Sequence, residues 1–143
     1  MSGVFDALTP ACILTAVEEE LSVPLTGLTA PLPSYINRVY ELATQADERL
    51  IVKFYRPGRW QQEALAEEHQ FLLDCDAAEI PVVAPMVLQN GSTLGCWDGI
   101  YFTLFPKRSG REMNLHTDED WRRLGSMIGR MHAVGMERDT EHR

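Results

Sequence analysis

Apolar positions return every three or four residues at Ile13, Leu14, Val17 and Leu21, directly after Thr9 and Pro10. A threonine side chain caps free helix N–H groups and proline needs none at the first helical position, so a helix is predicted from there to about Leu21. Pro24, Gly27, Pro31 and Pro33 then interrupt any regular pattern. Residues 39–42 and 50–55, rich in β-branched and aromatic side chains, read as strands joined by a turn at residues 45–48. From Trp60 to about Ala77 there is neither glycine nor proline, and Glu, Gln, Leu and Ala abound, which marks the best helix of the chain. Pro81 and Pro85 bracket a predicted strand at residues 82–84, and Asn90-Gly91 reads as a tight hairpin turn. Residues 100–105 form a buried-strand run, with a further short strand possible at residues 94–96. Thr117 with Asp120 makes a capping-box pattern, and Leu124, Met127, Ile128, Met131 and His132 share one face of the helix that follows. Gly135 is its predicted stop, beyond which the chain is polar and expected to be loose.

Helix, strands, helix, strands, helix, with hairpin-like links between strands, describe an α+β domain whose economical form is an antiparallel sheet carrying one main helix. A chain of 143 residues can bury one sizeable core. Hydrophobic residues at 45% and charged residues at 24% are ordinary for globular proteins and exclude fibrous and disordered classes. Against 21 acidic residues stand 13 basic ones, a net charge of −8 with no basic cluster to offset it, so nucleic acid is not expected as a partner. Cys12, Cys75 and Cys96 contain no Cys-x-x-Cys pair, so neither a disulfide framework nor a zinc site is signalled and a reducing, cytoplasmic setting fits. No apolar run reaches the roughly 18 residues of a membrane span, and Asp6 without an early Lys or Arg is unlike a signal peptide. A membrane is therefore not expected as a partner either.

On a helical wheel of residues 60–77, Ala64, Leu65, Phe71, Leu72 and Cys75 make one stripe with Glu68 at its centre, while Glu67 points away. A carboxylate inside a buried stripe needs a cation or hydrogen bonds, because an unpaired buried charge costs several kcal/mol. In the preceding strand, alternation sets Ile51, Lys53 and Tyr55 opposite Leu50, Val52 and Phe54, so Lys53 also lies among apolar neighbours. Lys53 and Glu68 are accordingly expected within salt-bridge distance or across one water. A strand lysine followed fifteen residues later by a helix glutamate aimed back at the sheet is the arrangement with which protein kinases hold ATP phosphates.

Five runs carry a family resemblance: Ser34-Tyr35-Ile36-Asn37-Arg38-Val39-Tyr40, Val52-Lys53-Phe54-Tyr55-Arg56-Pro57, Glu67-Glu68-His69-Gln70-Phe71, Pro81-Val82-Val83-Ala84-Pro85 and Gly129-Arg130-Met131-His132. In them the chain resembles the amino-terminal lobe of the bacterial stress-response Ser/Thr protein kinases, within the aminoglycoside phosphotransferase and choline kinase-like superfamily. The resemblance implies a protein-kinase-like N-terminal lobe of about five antiparallel strands with the Glu68 helix packed on the sheet. It implies an N-terminal helical extension at residues 1–22, a nucleotide-binding lobe at 23–110, a hinge and first helix toward a second lobe at 111–135, and a tail at 136–143. It implies ATP with magnesium, and transfer of the γ-phosphate to Ser or Thr of a protein substrate. Lys53 would contact the α- and β-phosphates and Glu68 would orient it. Ser34, Tyr35, Asn37 and Arg38 would belong to the loop over the phosphates, and the backbone near Phe105 and Lys107 would face the adenine. That loop has no Gly-x-Gly-x-x-Gly, and Ile36 stands where an acidic residue is expected.

The family's catalytic His-Gly-Asp loop and metal-binding Asp are second-lobe features and do not occur in these 143 residues, so the chain alone is expected to be inactive, with its magnesium ligands elsewhere. His116-Thr117-Asp118 imitates His-x-Asp, but the family's loop carries an asparagine five residues beyond its Asp, and Arg123 stands there instead. Asp118, Glu119 and Asp120 read as dipole-favoured acids of a first helical turn rather than as a metal site. His132 reads as packed, and Lys107, Arg108 and Arg111 as a solvated hinge. Two other readings stay open: the lobe of a small-molecule kinase of aminoglycoside or choline type, and a non-catalytic nucleotide-binding or protein-interaction module. The apolar stripe of the last helix is expected to support self-association through residues 121–135.

Overall fold

Residues 3–110 and 114–140 are described by the computed structural model; Arg111 of the basic cluster lies outside them. Along the chain run α1 (Pro10–Leu21), β1 (Leu25–Leu32), β2 (Arg38–Thr44), β3 (Arg49–Phe54), α2 (Gln62–Ala77), β4 (Gly95–Trp97), β5 (Ile100–Pro106) and α3 (Asp118–Met136). The five strands form an antiparallel sheet in the order β1-β2-β3-β5-β4. Thr9 caps α1 by accepting the Cys12 N–H, as its place before Pro10 predicts.

The two faces of the sheet are treated differently. Alternation sends Leu50, Val52 and Phe54 of β3 to one face, where they meet Leu42, Phe102 and Leu104 and are sealed by Ile13, Ala16 and Val17 of α1. None of these side chains is more than 5% exposed, and each except the small Ala16 contributes roughly 1.5–3 kcal/mol by its burial. On the opposite face, register lines up two rows across the sheet. Ala30, Glu41, Ile51 and Phe105 form one; Leu32, Val39, Lys53 and Thr103 form the next. Helix α2 covers only part of this face, through Leu65 against Tyr55, Leu94 and Tyr101, and leaves Ile51, Lys53 and Phe105 half-buried.

Several local expectations are corrected. Residues 25–32, whose glycine and proline interrupt the sequence pattern, form β1; Pro31 is tolerated because β1 is an edge strand. Residues 82–84 are not a strand. Pro81 and Pro85 bring no N–H to a ladder, and the segment bonds to β5 only where the Met86 N–H donates to the Leu104 carbonyl at 2.8 Å. Asn90-Gly91 is a turn but joins no two strands. The hairpin belongs to Asp98-Gly99 between β4 and β5, both with positive φ, 49° and 80°, as a two-residue turn of this kind requires.

Helix α3 starts with the predicted capping box, Thr117 accepting from the Asp120 N–H and the Asp120 side chain from the Thr117 N–H. It does not stop at Gly135. That glycine lies inside the helix, where a β-carbon would come within 3.3 Å of the Phe71 ring. Met127, Met131 and Val134 pack on Phe71, Cys75 and Ile80. Arg138 closes the junction with bonds of 2.9 and 3.1 Å to Asp74, so the segment expected to be loose is tied down there. Arg130 donates to the carbonyls of Ala78 and Glu79 beyond the end of α2. His132, expected to be packed, is exposed, as are Trp121 and Ile128. No helix among the described residues is long and apolar enough to cross a membrane.

Candidate functional site

Where β5 ends on the open face lies a cleft of about 460 Å³. Such a volume falls within the roughly 300–1,000 Å³ of small-molecule sites. Its apolar walls are Leu32, Ile51, Val83, Phe105 and Pro106, and its polar side is Glu41, Lys107 and Arg108. The Glu41 carboxylate takes Lys107 Nζ at 2.8 Å and Arg49 at 3.0 Å; these partners, Lys107 foremost, hold it below the usual carboxylate range. The Lys107 N–H donates to the Arg49 carbonyl at 3.2 Å. Lys107 therefore ties the segment after β5 to the sheet by backbone and side chain, so its N–H, expected to face an adenine, is already bonded.

Lys53 stands one row farther along the same face, about 7 Å on by strand geometry. Its Nζ lies 4.9 Å from the centroid of the Tyr55 ring. No ion pair engages it among the described residues. The expected direct bond to Glu68 is not made. Glu68 is exposed and lines a separate hollow of about 220 Å³ with Trp60, Ala64 and Leu65. The reason is that α2 buries two different faces. Leu65 and His69 of its first half meet the sheet side, Phe71 and Cys75 of its second half meet α3, and Glu68 falls between the two. Glu67 is half-buried on the α3 side, near Phe71, Asp74 and Arg138.

The β1–β2 loop spans residues 33–37, past Lys53 on the side away from that cleft. Ser34 and Tyr35 are exposed there, Tyr35 at 97%. Asn37 fixes the loop by accepting the Arg56 N–H at 3.1 Å. Arg38 leaves this group. Its register partner is Phe54, on the face that α1 seals, and its guanidinium lies 4.9 Å over the Phe5 ring.

His69, absent from the expected site residues, is the inward-facing polar group of α2. It bonds to Tyr55 and Thr93, and burial first and the Lys53 charge second lower it to about 4. Burial, and then the Glu68 charge, push the Tyr55 phenol up. The Tyr55–His69 pair thus feels both of the residues that were expected to bond to each other. The signal for His69 was its place four residues after Leu65, on the stripe that meets the sheet. No group of three His, Cys, Asp or Glu side chains that could hold a metal occurs among the described residues.

Stress response kinase A of Escherichia coli (strain K12) is 40% identical over 139 residues, covering 97% of this chain and 42% of the relative. Serine/threonine protein kinase RdoA of Salmonella typhimurium (strain LT2) is 39% identical over 134 residues, 94% of this chain and 40% of its own. The chain thus spans about two fifths of the length of these curated relatives. Among solved structures, amicoumacin kinase hAmiN in complex with AMP-PNP and Ca2+ superposes with a TM-score of 0.74 at 18% identity, over 92% of this chain and 41% of that one. Spectinomycin phosphotransferase APH(9)-Ia in complex with ADP and spectinomycin gives 0.71 at 8% identity, over 90% and 39%. The five-stranded sheet with its helices is thus a fold shared with antibiotic kinases. The sequence pattern of one family of phosphotransferase enzymes fits residues 29–143, from the edge strand to the last residue, and the chain belongs to that APH family.

Proposed function

We propose that this lobe binds ATP along the open sheet face and serves a kinase whose acceptor is a Ser or Thr of a protein. The observation that carries the reading is the order of groups along that face. An apolar slot over Ile51 and Phe105 comes first, then an ammonium at Lys53 with no carboxylate partner among the described residues, then the loop of Ser34, Tyr35 and Asn37. A nucleotide has the same order of base and phosphates, and an unpaired, half-buried cation is satisfied by an anion. The protein acceptor is favoured over an antibiotic-like one by identities of 39–40% to the stress-response kinases against 8–18% to the antibiotic kinases.

On this reading Lys53 holds the α- and β-phosphates, and Glu68 reaches it only after moving inward, the movement by which helix position governs the Lys–Glu pair of kinases. Magnesium would neutralise phosphate charge when bound. Its ligands and the general base come with the further length that the relatives possess. A cytoplasmic setting suits the three free cysteines. The exposed side of residues 121–135 is a contact surface in the same reading, used for self-association.

Calorimetry with ATP and magnesium on the 143-residue chain tests the proposal. Weak binding is expected, at least tenfold weaker in Lys53→Ala, together with no phosphoryl transfer, since positioning and electrostatics supply most of that catalysis. Equal affinity of Lys53→Ala and wild type would overturn the reading. Magnesium-dependent phosphorylation by the purified chain, lost in Lys53→Ala, would reveal a catalytic site within these residues.

A further inference from the structure

Beneath α2 runs a chain of hydrogen bonds that the nucleotide reading does not use. His69 is 1% exposed. Its Nε2 lies 2.7 Å from the Tyr55 hydroxyl and its Nδ1 2.7 Å from the Thr93 hydroxyl, and the Thr93 carbonyl accepts from Thr103 Oγ1 at 2.8 Å. One imidazole therefore joins α2 to Tyr55, directly after β3, and to the loop before β4, and through Thr93 to β5. A neutral imidazole has one donor and one acceptor, and each hydroxyl can give or take a proton, so the chain closes without a charge. No buried side-chain polar atom among the described residues is left without a partner.

Both ends of this chain touch the surroundings of Lys53. Tyr55 carries the Lys53 ammonium 4.9 Å from its ring centroid, and Thr103 is the register partner of Lys53 on β5. We propose that His69 is a positioning residue that sets where the Lys53 ammonium stands, by locking the Tyr55 ring and the Thr93–Thr103 link against the sheet. The consequence for ATP affinity rests on the function proposed above; the placement of Lys53 does not. Packing alone would be served as well by phenylalanine, which fills the volume but strands the Tyr55 and Thr93 hydroxyls, a loss that the surrounding structure relieves by shifting the tyrosine ring.

The test compares His69→Phe, His69→Gln and Tyr55→Phe in the 143-residue chain by NMR of the Lys53 ε-methylene, which feels the ring current of Tyr55. In the wild type this resonance is expected upfield of a free lysine. His69→Phe and Tyr55→Phe should both move it toward the free-lysine position, the second while keeping the ring. His69→Gln retains a donor and an acceptor and should keep most of the upfield shift. ATP affinity should fall threefold or more in His69→Phe and recover in His69→Gln. Should His69→Phe not fold, Tyr55→Phe and Thr93→Val carry the comparison. An unmoved Lys53 resonance in folded variants overturns the proposal, even when their melting temperatures drop. A Lys53 resonance that responds in a chain binding no ATP supports the positioning role and removes the nucleotide reading instead.

Discussion

Gly95 answers to a demand that no hydrophobic pattern displays: a β-carbon there would collide with the Phe102 ring. Phe102 is fully buried in the main core, so the ring has no free volume to retreat into. Gly95→Ala should cost about 1–3 kcal/mol and lower the melting temperature by several degrees, read by thermal denaturation. Thr117→Ala, which removes the cap of α3, should cost about 1 kcal/mol in the same measurement. Lys53 was legible because a strand has period two and its neighbours Ile51 and Tyr55 are apolar. The same period places Arg38 on the far face, since Val39 pairs with Lys53; membership in a shared run hid that one-residue offset. Glu68 was misplaced for a different reason. The two halves of α2 bury different sides, and a single averaged stripe puts a carboxylate where His69 belongs.

Elements announced by their own termini were read closely. Thr9-Pro10 and Thr117 with Asp120 cap α1 and α3 as expected, because capping is settled within four residues. Edge strand β1 was missed because its identity depends on a neighbouring strand that supplies its ladder, pairing Leu25 with Thr44 and Thr29 with Leu42. Helix α2 carries its own pH dependence. Its buried His69 takes up a proton only near pH 4, whereas in the unfolded chain it does so near 6.5. The unfolded state therefore binds more protons across that window, and stability falls as pH drops from about 6.5 to about 4. Thermal melts across this range should show the decline in wild type and a flatter profile in His69→Gln, in which the titrating group is gone. Parallel profiles would exclude His69 as the source.

The molecule has an open side on α3. Trp121 and Ile128 are 57% and 45% exposed, while Met127 and Met131 face α2. At about 25 cal/mol per Å² of apolar surface, a contact of 200 Å² there is worth roughly 5 kcal/mol before association costs. Sedimentation should show concentration-dependent association that Ile128→Asp weakens without lowering the melting temperature. Met127→Asp should instead open the α2–α3 cluster and destabilise the fold. A monomer at every concentration rules association out.

The pairing of β3 with β5 has a separate consequence. It joins Leu50 to Pro106 and Phe54 to Phe102 across the whole of α2, whereas β1–β2–β3 and β4–β5 close within short stretches. Loop-closure entropy makes that distant seam the late event of folding. The cleft takes Ile51 from one side of the seam and Phe105 from the other. Half-folded chains therefore have nowhere for a ligand to sit. Any occupant counts completed molecules only, and at a hundred times its dissociation constant it shifts the folding equilibrium by about 2.7 kcal/mol. If the cleft takes the nucleotide proposed above, its supply would act as a folding aid, lengthening the time a newly made chain stays assembled.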